Sequence, residues 1–306
     1  MSQVHIVLST YNGEQFLSEQ LDSILNGTYQ NFTIEVSDDC STDRTVSIVK
    51  QYIEKYPQKI SLHVNEKNLG YTMNFLEGLK RSQAPYVMFC DQDDIWMPEK
   101  IEHTLAHMNK IEKNHENEPV LVYSDAMMFD SKSGDEMGLF HKNSHLSTEK
   151  VDISHLLIEN KCIGCTVMLN QRVRDYLVQL PEGIRVHDWW LALICSSFGQ
   201  IGYLDEPTLY YRQHSKNMIG GTSFVQYLIG RIRSLKDQRE TVCQCCCQGK
   251  AFYELFSDQL TKEQENVFQA FISLFDVNWL ARRIRCIRYG FWKSGVSRNI
   301  GLLIIL

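Results

Sequence analysis

The chain has 306 residues, of which 43% are hydrophobic and 22% charged, and this composition indicates a globular protein large enough for one sizeable α/β domain. Its 31 lysines and arginines face 37 aspartates and glutamates, which argues against nucleic acid as a general partner, because that function depends on basic side chains that neutralise phosphates. The N-terminus lacks the basic start and long apolar stretch of a signal peptide. We therefore expect a cytoplasmic protein whose ten cysteines are mostly reduced thiols.

Strand-like and helix-like segments alternate through the first half of the chain. Apolar residues recur at helical spacing in residues 16–25, 46–53 and 71–81. Ser41 and Thr42 are candidate N-caps of the second helix, and Pro98 is a candidate first residue of the fourth. Short apolar runs predict strands at residues 4–9, 32–37, 60–64, 86–90 and 120–123. This alternation predicts βαβ units and a mainly parallel sheet flanked by helices.

The pattern becomes less regular after residue 130. The polar residues 131–149 predict a mobile loop, and a helix is expected at 188–197. Further strands are expected at 166–169, 201–204 and 208–211. From residue 220 the patterns are helical, so we divide the chain into an α/β domain over 1–219 and a helical C-terminal extension over 220–306. The terminal run GLLIIL is far shorter than the ~20 residues that span a bilayer.

Polar groups follow three of the predicted strands. Thr10 to Glu14 come after the first strand, Asp38 and Asp39 after the second, and Asp91 to Asp94 after the fourth. In open α/β sheets, ligands bind beyond the carboxyl ends of the strands. If these strands are parallel neighbours, the three groups converge on one edge of the sheet, and we expect the ligand there.

The acidic run after the fourth strand is typical of a metal site. Carboxylates packed as closely as Asp91, Asp93 and Asp94 repel one another unless a cation lies among them, and oxygen ligands suit Mg²⁺, Mn²⁺ or Ca²⁺. Such an ion can bridge the phosphates of a nucleotide diphosphate. The alternative is a solvated acidic turn that caps the following helix. The chain has neither a G-x-x-x-x-G-K-[ST] phosphate loop nor a G-x-G-x-x-G after the first strand.

Two further clusters contain residues that could act in catalysis or ligand binding. Asp188, beside Trp189 and Trp190, is either a general base in an aromatic-walled pocket or an N-cap whose tryptophans belong to the core. In the run YYRQHSKN, Arg212 and Lys216 can offset phosphate charge, and His214 can ligate a metal.

The cysteines offer a weaker alternative. Cys162 and Cys165 form a C-x-x-C pair, and a second group clusters at residues 243–247. A zinc site needs two such pairs brought together. We expect instead partly buried thiols on a helix.

Six ordered segments resemble family 2 glycosyltransferases, which have the GT-A fold. The resemblance covers roughly residues 3–218, and DQDDIW with HDWW and YRQH is most similar to the rhamnosyltransferase-like branch that builds bacterial surface polysaccharides. The segments are STYNGEQFLSEQLDSIL, SDDCSTDRT, NLGYTMNF, YVMFCDQDDIWMPEK, HDWW and YRQHSKN.

The resemblance implies roles residue by residue. Asp91, Asp93 and His214 would hold Mn²⁺ or Mg²⁺, with Asp93 the foremost direct ligand, and Asp188 would be the catalytic carboxylate. Cys40 departs from the family pattern, since many members have glycine there. The residues implied to bind the nucleotide sugar are Thr10, Tyr11, Asn12, Glu14, Asp38, Asp39, Asn68, Gly70, Asn74, Asp91 and Gln92.

The family's mechanism is inverting, so Asp188 would take a proton from an acceptor hydroxyl that attacks the anomeric carbon. The implied donor is dTDP-rhamnose, and the acceptor a glycan or lipid-linked saccharide, with the C-terminal helices touching the inner face of the membrane. Alternatives are a transferase using a UDP-hexose or UDP-HexNAc, a nucleotidyltransferase, and a non-catalytic nucleotide-sugar-binding module. The nucleotidyltransferase is disfavoured because residues 9–14 contain no lysine.

Overall fold

The computed structural model of the chain describes residues 3–213 and 235–306. Its sheet has nine strands among these residues, in the order β3-β2-β1-β4-β8-β6-β9-β5, with β7 paired to β6. In chain order the strands are β1 (Val4–Thr10), β2 (Phe32–Asp38), β3 (Ile60–Val64), β4 (Tyr86–Asp91), β5 (Ile95–Trp96), β6 (Val120–Asp130), β7 (Glu136–Leu139), β8 (Met168–Asn170) and β9 (Gln200–Gln213).

The sheet is mainly parallel, as the alternation of elements predicts. Strand β1 pairs in parallel with both β2 and β4, and β2 pairs in parallel with β3. The short β8 runs antiparallel between β4 and β6, and β6 pairs in parallel with β9. Because β1 lies between β2 and β4, the polar residues after these three strands meet at one edge of the sheet.

Helices cover the sheet and form the C-terminal region. The first seven are α1 (Leu17–Leu25), α2 (Thr45–Lys55), α3 (Tyr71–Arg81), α4 (Lys100–Glu112), α5 (Phe140–Asn143), α6 (Ile153–Ile158) and α7 (His187–Phe198). The described C-terminal helices are α8 (Leu235–Phe256), α9 (Lys262–Ile272), α10 (Trp279–Tyr289) and α11 (Val296–Ile305).

Two helix starts differ from the sequence prediction. Helix α2 begins at Thr45 after Arg44, so neither Ser41 nor Thr42 is its N-cap. Their polar groups contact Asp38 and Asn12 instead. Helix α4 has Glu99 at its N-cap, which leaves Pro98 just outside the helix. Short polar side chains can cap a helix or close a turn by the same kind of hydrogen bond, and Ser41 and Thr42 lie in the turn after β2.

Two later segments also differ from the prediction. Residues 131–149 are not one loop, because β7 and α5 lie within them and Phe140 is buried. The two strands expected after residue 200 are a single strand, β9, whose register against β6 shifts between Leu204 and Pro207. The two unpaired residues of this bulge carry the acidic side chains that made the segment resemble two strands.

The C-terminal helices share a core with the sheet. One apolar cluster joins β4 residues such as Phe89 to Trp190 of α7 and Phe252 of α8. Trp190 is fully buried, with its ring centroid 5.3 Å from that of Phe252. A second cluster fills the other side of the sheet. The extension predicted from residue 220 is therefore packed against the α/β part rather than appended by a linker in the described residues.

Candidate active site

A hydrogen-bonded turn joins the ends of β1 and β2. The Thr10 hydroxyl donates to Asp38 Oδ2 at 2.9 Å, and the backbone N–H of Ser41 donates to Asp38 Oδ1 at 2.9 Å. The backbone N–H of Asn12 donates to the Ser41 hydroxyl at 2.9 Å, and Asn12 Oδ1 accepts from the backbone N–H of Thr42 at 2.8 Å. Asp38 has no exposed surface, so its oxygens fix the shape of the pocket wall.

Asp39 organises the loop before α3. Its Oδ1 accepts from Asn65 Nδ2 at 2.9 Å and from the backbone N–H of Leu69 at 2.7 Å. Its Oδ2 accepts from the backbone N–H of Gly70 at 2.8 Å, and Asn68 donates to the Asp39 carbonyl at 3.0 Å. Gly70 has φ +77°, a left-handed conformation that favours glycine. This carboxylate therefore holds the predicted Asn68–Gly70 segment against β2.

Asn74 links β1, β2 and α3 from a fully buried position. Its Nδ2 donates at 2.7 Å to both the Ser9 hydroxyl and the Ser37 carbonyl. Its Oδ1 accepts from the Ser37 hydroxyl at 2.7 Å and from Asn65 Nδ2 at 2.9 Å. All four bonds are internal, so the part that Asn74 plays here is to position these elements.

Cys40 has φ +66°, a left-handed conformation that favours glycine. Its thiol donates to the Asn65 carbonyl at 3.2 Å. The thiol therefore fits the turn, although the backbone conformation favours glycine.

The turn after β1 also contacts the turn after β4. The backbone N–H of Tyr11 donates to Gln92 Oε1 at 2.9 Å, and Gln92 Nε2 donates back to the Tyr11 carbonyl at 3.2 Å. A Cβ at Gly13 would lie 2.1 Å from Gln92 Oε1, so glycine is required for this approach. The exposed residues of the turn are Tyr11 and Asn12, which are thus free to contact a ligand.

Glu14 lies at the rim of the same turn. Its Oε2 accepts from the backbone N–H and from Nε of Arg44, each at 3.0 Å. These bonds from Arg44, the backbone one first, hold the pKa of Glu14 below its usual range. Glu14 therefore joins the first turn to α2 from a half-exposed position.

The acidic run after β4 forms the candidate metal centre. Ligating atoms of Asp91, Asp94 and Cys165 lie within 4.8 Å of one another. Burial, followed by the charges of Asp93 and Asp188, raises the pKa of Asp91 to about 7. Burial and the charges of Asp93 and Asp91 raise the pKa of Asp94 well above its usual range. Asp94 Oδ2 is buried with no hydrogen-bond partner among the described residues.

These carboxylates fit a hard divalent cation. Burial and the charges of neighbouring carboxylates raise the pKa values of Asp91 and Asp94, so a bound cation would replace the protons that these values favour. The Cys165 thiol fits less well, because burial keeps its pKa well above the usual range and hard cations prefer oxygen. Cys165 also donates a hydrogen bond to Asp94, which makes it a support of the site.

Two buried cations lie beside the acidic run. Lys100 is fully buried beside Asp94, its ammonium donates to the Thr208 hydroxyl at 2.9 Å, and burial lowers its pKa to about 8. Arg212 Nε donates to the Asp93 carbonyl at 2.8 Å, and a second nitrogen pairs with Glu19 at 2.5 Å. Arg212 lies between the rings of Phe16 and Phe129. It therefore anchors the backbone of the acidic turn from a largely buried position.

Asp188 comes close to this centre from α7. It is only 6% exposed, and burial raises its pKa to about 7. Its Oδ1 accepts from Asn160 Nδ2 at 3.0 Å and from the backbone N–H of Trp189 at 2.6 Å. The Asp188 charge contributes to the raised pKa of Asp91, so the two carboxylates lie near enough to interact. A carboxylate with a pKa near 7 is suited to general base catalysis.

The alternative interpretation of the HDWW segment is partly right. Val186, not Asp188, is the N-cap of α7. Both tryptophans do belong to the core, and the Trp189 indole N–H donates to the Leu156 carbonyl. The ring of Phe75 stacks on the buried His187 of this segment, with 4.3 Å between the ring centroids. Burial lowers the pKa of His187 to about 3.

Two predicted residues lie outside the described part of the chain, and two supporting residues were not predicted. His214 and Lys216 lie outside the described residues. Asn160 donates to Asp188, and Lys100 lies beside Asp94. Neither role was predicted from the sequence, because no motif signal marks it. Cys162 is buried next to Asn160, and a metal-ligating group that includes residues 243–247 is absent from residues 3–213 and 235–306.

Proteins with similar sequences include two with names that state a transferase activity. The dTDP-rhamnosyl transferase RfbG of Shigella flexneri is 27% identical over 225 residues, 70% of this chain and 73% of RfbG. The putative teichuronic acid biosynthesis glycosyltransferase TuaG of Bacillus subtilis is 27% identical over 213 residues, 68% of this chain and 78% of TuaG.

Solved structures share the fold. S. aureus TarS 1–349 in complex with UDP-GlcNAc has a TM-score of 0.57 and 16% identity, covering 98% of this chain and 84% of TarS. The mannosyltransferase PcManGT of Pyrobaculum calidifontis, in complex with GDP-Man and Mn²⁺, has a TM-score of 0.53 and 16% identity, covering 99% and 78%. The chain has the GT-A fold. The family model described as glycosyl transferase family 2 matches residues 5–168, and this protein is a member of that family that acts on nucleotide sugars.

Proposed function

We propose that the protein is an inverting glycosyltransferase in which Asp188 is the catalytic base. The observation that carries this proposal is a buried carboxylate whose pKa is raised to about 7 and whose charge reaches Asp91. Asn160 and the backbone of Trp189 both bind Oδ1. A carboxylate oriented in this way can accept a proton from a hydroxyl between the two groups.

The reaction is a single displacement. The acceptor hydroxyl gives its proton to Asp188 as its oxygen forms a bond to the anomeric carbon. The bond between that carbon and the diphosphate oxygen breaks on the opposite face, and the nucleoside diphosphate leaves with the electron pair. For dTDP-β-L-rhamnose, the product is an α-rhamnoside. The exclusion of water around Asp188 raises its basicity and favours the acceptor hydroxyl as nucleophile.

The ligands that we propose for a divalent cation, Mn²⁺ or Mg²⁺, are Asp91, Asp93 and His214. When bound, it would supply positive charge to the diphosphate leaving group. Asp94 is better suited to supporting these ligands, because it is fully buried beside Lys100 and Cys165. Gln92 holds the carbonyl and N–H of Tyr11, so the first turn and the acidic turn keep a fixed separation.

The donor we propose is dTDP-rhamnose. Its support is the likeness to a relative named as a dTDP-rhamnosyl transferase, together with the DQDDIW, HDWW and YRQH segments. A UDP-hexose or UDP-HexNAc is the alternative, and TarS has been solved with UDP-GlcNAc. Either nucleotide would lie along Thr10, Tyr11, Asn12 and the Asp39 loop, since Tyr11 and Asn12 are exposed there.

The acceptor class that we propose is a glycan or lipid-linked saccharide used in bacterial surface polysaccharide synthesis. TuaG is named for teichuronic acid biosynthesis, which supports this class. A non-catalytic nucleotide-sugar-binding module is disfavoured, because such a module has no need for a buried carboxylate of raised pKa beside the acidic turn.

A donor screen tests the proposal. Hydrolysis and binding of dTDP-rhamnose, UDP-glucose, UDP-galactose, UDP-GlcNAc and GDP-mannose would be measured with Mn²⁺ and with EDTA. We expect Mn²⁺-dependent preference for dTDP-rhamnose. Preference for a UDP-sugar would overturn the donor and keep the mechanism, and equal turnover in EDTA would overturn the metal. Binding without turnover by any donor and acceptor would favour the non-catalytic module.

A further inference from the structure

The last two helices carry an unusual concentration of exposed apolar side chains. Of the thirteen large hydrophobic residues that are exposed in the described part of the chain, seven lie on or at the ends of α10 and α11. We call these seven residues the outer stripe. They are Trp279, Leu280, Ile284, Ile287, Val296, Ile300 and Ile304, each more than half exposed.

The spacing of the outer stripe gives each helix one apolar outer face. Leu280, Ile284 and Ile287 recur at i, i+4 and i+7, and the α11 members recur at i, i+4 and i+8, so each set lies along one side of its helix. The opposite sides are buried in one core cluster, through Cys286 of α10 and Leu302 of α11. Each outer face therefore points away from the core that the buried side of its helix joins.

The lysines, arginines, aspartates and glutamates of this region are unevenly represented, because only basic ones occur. Residues 277–306 contain six of the chain's 31 lysines and arginines and none of its 37 acidic residues. Arg288 is exposed beside the stripe, and the Arg283 guanidinium lies 3.7 Å from the centroid of the Trp279 ring. The rest of the chain is net acidic. An anionic surface would thus attract the two helices and repel the remainder, which fixes an orientation.

Polar contacts link the two helices of the outer stripe to the segment that holds Asp188. Arg282 donates to the Leu306 carbonyl at 2.9 Å, which ties the start of α10 to the end of α11. Arg298, on the inner side of α11, pairs with buried Glu159 at 2.6 Å. The next residue, Asn160, donates to Asp188. The inner side of α11 is therefore linked through Glu159 and Asn160 to the proposed base.

We propose that the outer stripe docks the protein on the surface of an anionic phospholipid bilayer. Apolar side chains flanked by arginines on amphipathic helices suit the boundary between head groups and acyl chains. A second copy of the chain fits less well, because a symmetric contact would bring the same arginines together. Helices in the described residues are all too short or too polar to cross the bilayer, so the contact is interfacial.

This inference deepens the proposed function, and it rests on that function only for the lipid-linked acceptor. Docking would bring a saccharide that is attached to a lipid in the same bilayer to the Asp188 side of the site. Binding to a vesicle needs neither donor nor acceptor. Failure of docking and failure of the transferase are therefore distinguishable.

Vesicle flotation of the full chain tests the proposal. The vesicles contain phosphatidylcholine alone, or phosphatidylcholine with phosphatidylglycerol, and the salt concentration is varied. We expect flotation with the anionic vesicles, weaker flotation at high salt, and at least about tenfold weaker binding by the double variant Ile284→Glu with Ile300→Glu. The matched control is Val178→Glu, at a residue that is 88% exposed and distant in the chain from the stripe, and it should float like the wild type.

Several results would overturn docking on a bilayer. One is an absence of flotation with anionic vesicles at low salt, and another is equal flotation of the double variant and the wild type. A dimer in solution that the double variant dissociates, without vesicle binding by the wild type, would assign the stripe to a second copy. Hydrolysis of a soluble nucleotide sugar by the double variant, at the wild-type rate, would show that the variant is folded.

Discussion

The carboxylates that follow β2 and those that follow β4 lie at one edge of the sheet, yet their surroundings differ. Each carboxylate oxygen of Asp38 and Asp39 accepts at least one hydrogen bond, from a side chain or from the backbone. Asp91 and Asp94 have raised pKa values, and Asp94 Oδ2 has no partner in the described part of the chain. Carboxylates supplied with donors build the pocket, whereas buried carboxylates short of donors are poised to exchange protons for a cation or a substrate.

The largest expected effect comes from Asp188, whose pKa is raised by burial as that of Asp91 is. Asp188→Asn should lower turnover at least about a hundredfold, the usual scale for loss of a general base, while donor affinity is retained. The folded-state pKa of about 7 lies above that of an unfolded carboxyl, so the ionised form costs stability as pH rises through 7. The variant should therefore melt at a higher temperature than the wild type at pH 8.

Steady-state kinetics and thermal melts at pH 6 and pH 8 would measure both effects. Asp175→Asn makes the same chemical change at an exposed residue and serves as the matched control. Turnover of Asp188→Asn within a factor of two of the control would remove Asp188 from the mechanism.

Asp39 offers the opposite case. Asp39→Ala would remove the acceptor of the Leu69 N–H and one of two acceptors each of Asn65 Nδ2 and the Gly70 N–H, and a donor that loses its partner costs about 1–3 kcal/mol. We expect a loss of about 2–4 kcal/mol in the free energy of unfolding by urea. Asp135→Ala, at an exposed site, is the control. A loss no larger than that of the control would mean that Asp39 does not hold the loop before α3.

Substitution of Asn160 changes the surroundings of the Asp188 carboxylate without removing it. Its hydrogen bond lowers the pKa of Asp188 against the larger, raising effect of burial. Because the base works only when ionised, activity should fall as pH drops through about 7. Asn160→Ala should move this fall to higher pH by up to about one unit, with turnover at pH 7 about fivefold lower. A pH–rate profile would measure this, and lower activity with an unmoved profile would reduce Asn160 to a structural role.

The smallest effect is expected at Cys40. Its positive φ favours glycine, and Cys40→Gly should change the free energy of unfolding by less than about 1 kcal/mol, in the stabilising direction. Cys40→Ala loses the thiol contact with Asn65 but keeps the Cβ, so it separates the two contributions. Urea melts of both variants measure them, and a glycine variant less stable than the alanine variant would contradict the strain.

The sequence was sufficient for the first four strands, because hydrophobic periodicity indicates them, but β5 and β7 were not predicted. The predicted convergence of the polar turns depended on β1, β2 and β4 being parallel neighbours, and the structure shows that they are. Residues 71–81 were predicted as a helix, and α3 has those bounds. Asn160 and Lys100 escaped prediction, since their roles depend on contacts with Asp188 and Thr208 that are distant in the chain. The start of α2 escaped it because a hydroxyl can cap a helix or close a turn, and only tertiary contacts decide.

Proton release on metal binding tests most directly whether the donor-poor carboxylates are the reaction centre. Mn²⁺ would be titrated calorimetrically into the protein and a nucleoside diphosphate at pH 7, in two buffers of different ionisation enthalpy. Since the pKa of Asp91 is about 7 and that of Asp94 is well above its usual range, we predict a net release of protons that Asp91→Asn diminishes and Asp135→Asn preserves. Tight Mn²⁺ binding without proton release, or equal release by Asp91→Asn and the wild type, would contradict the account.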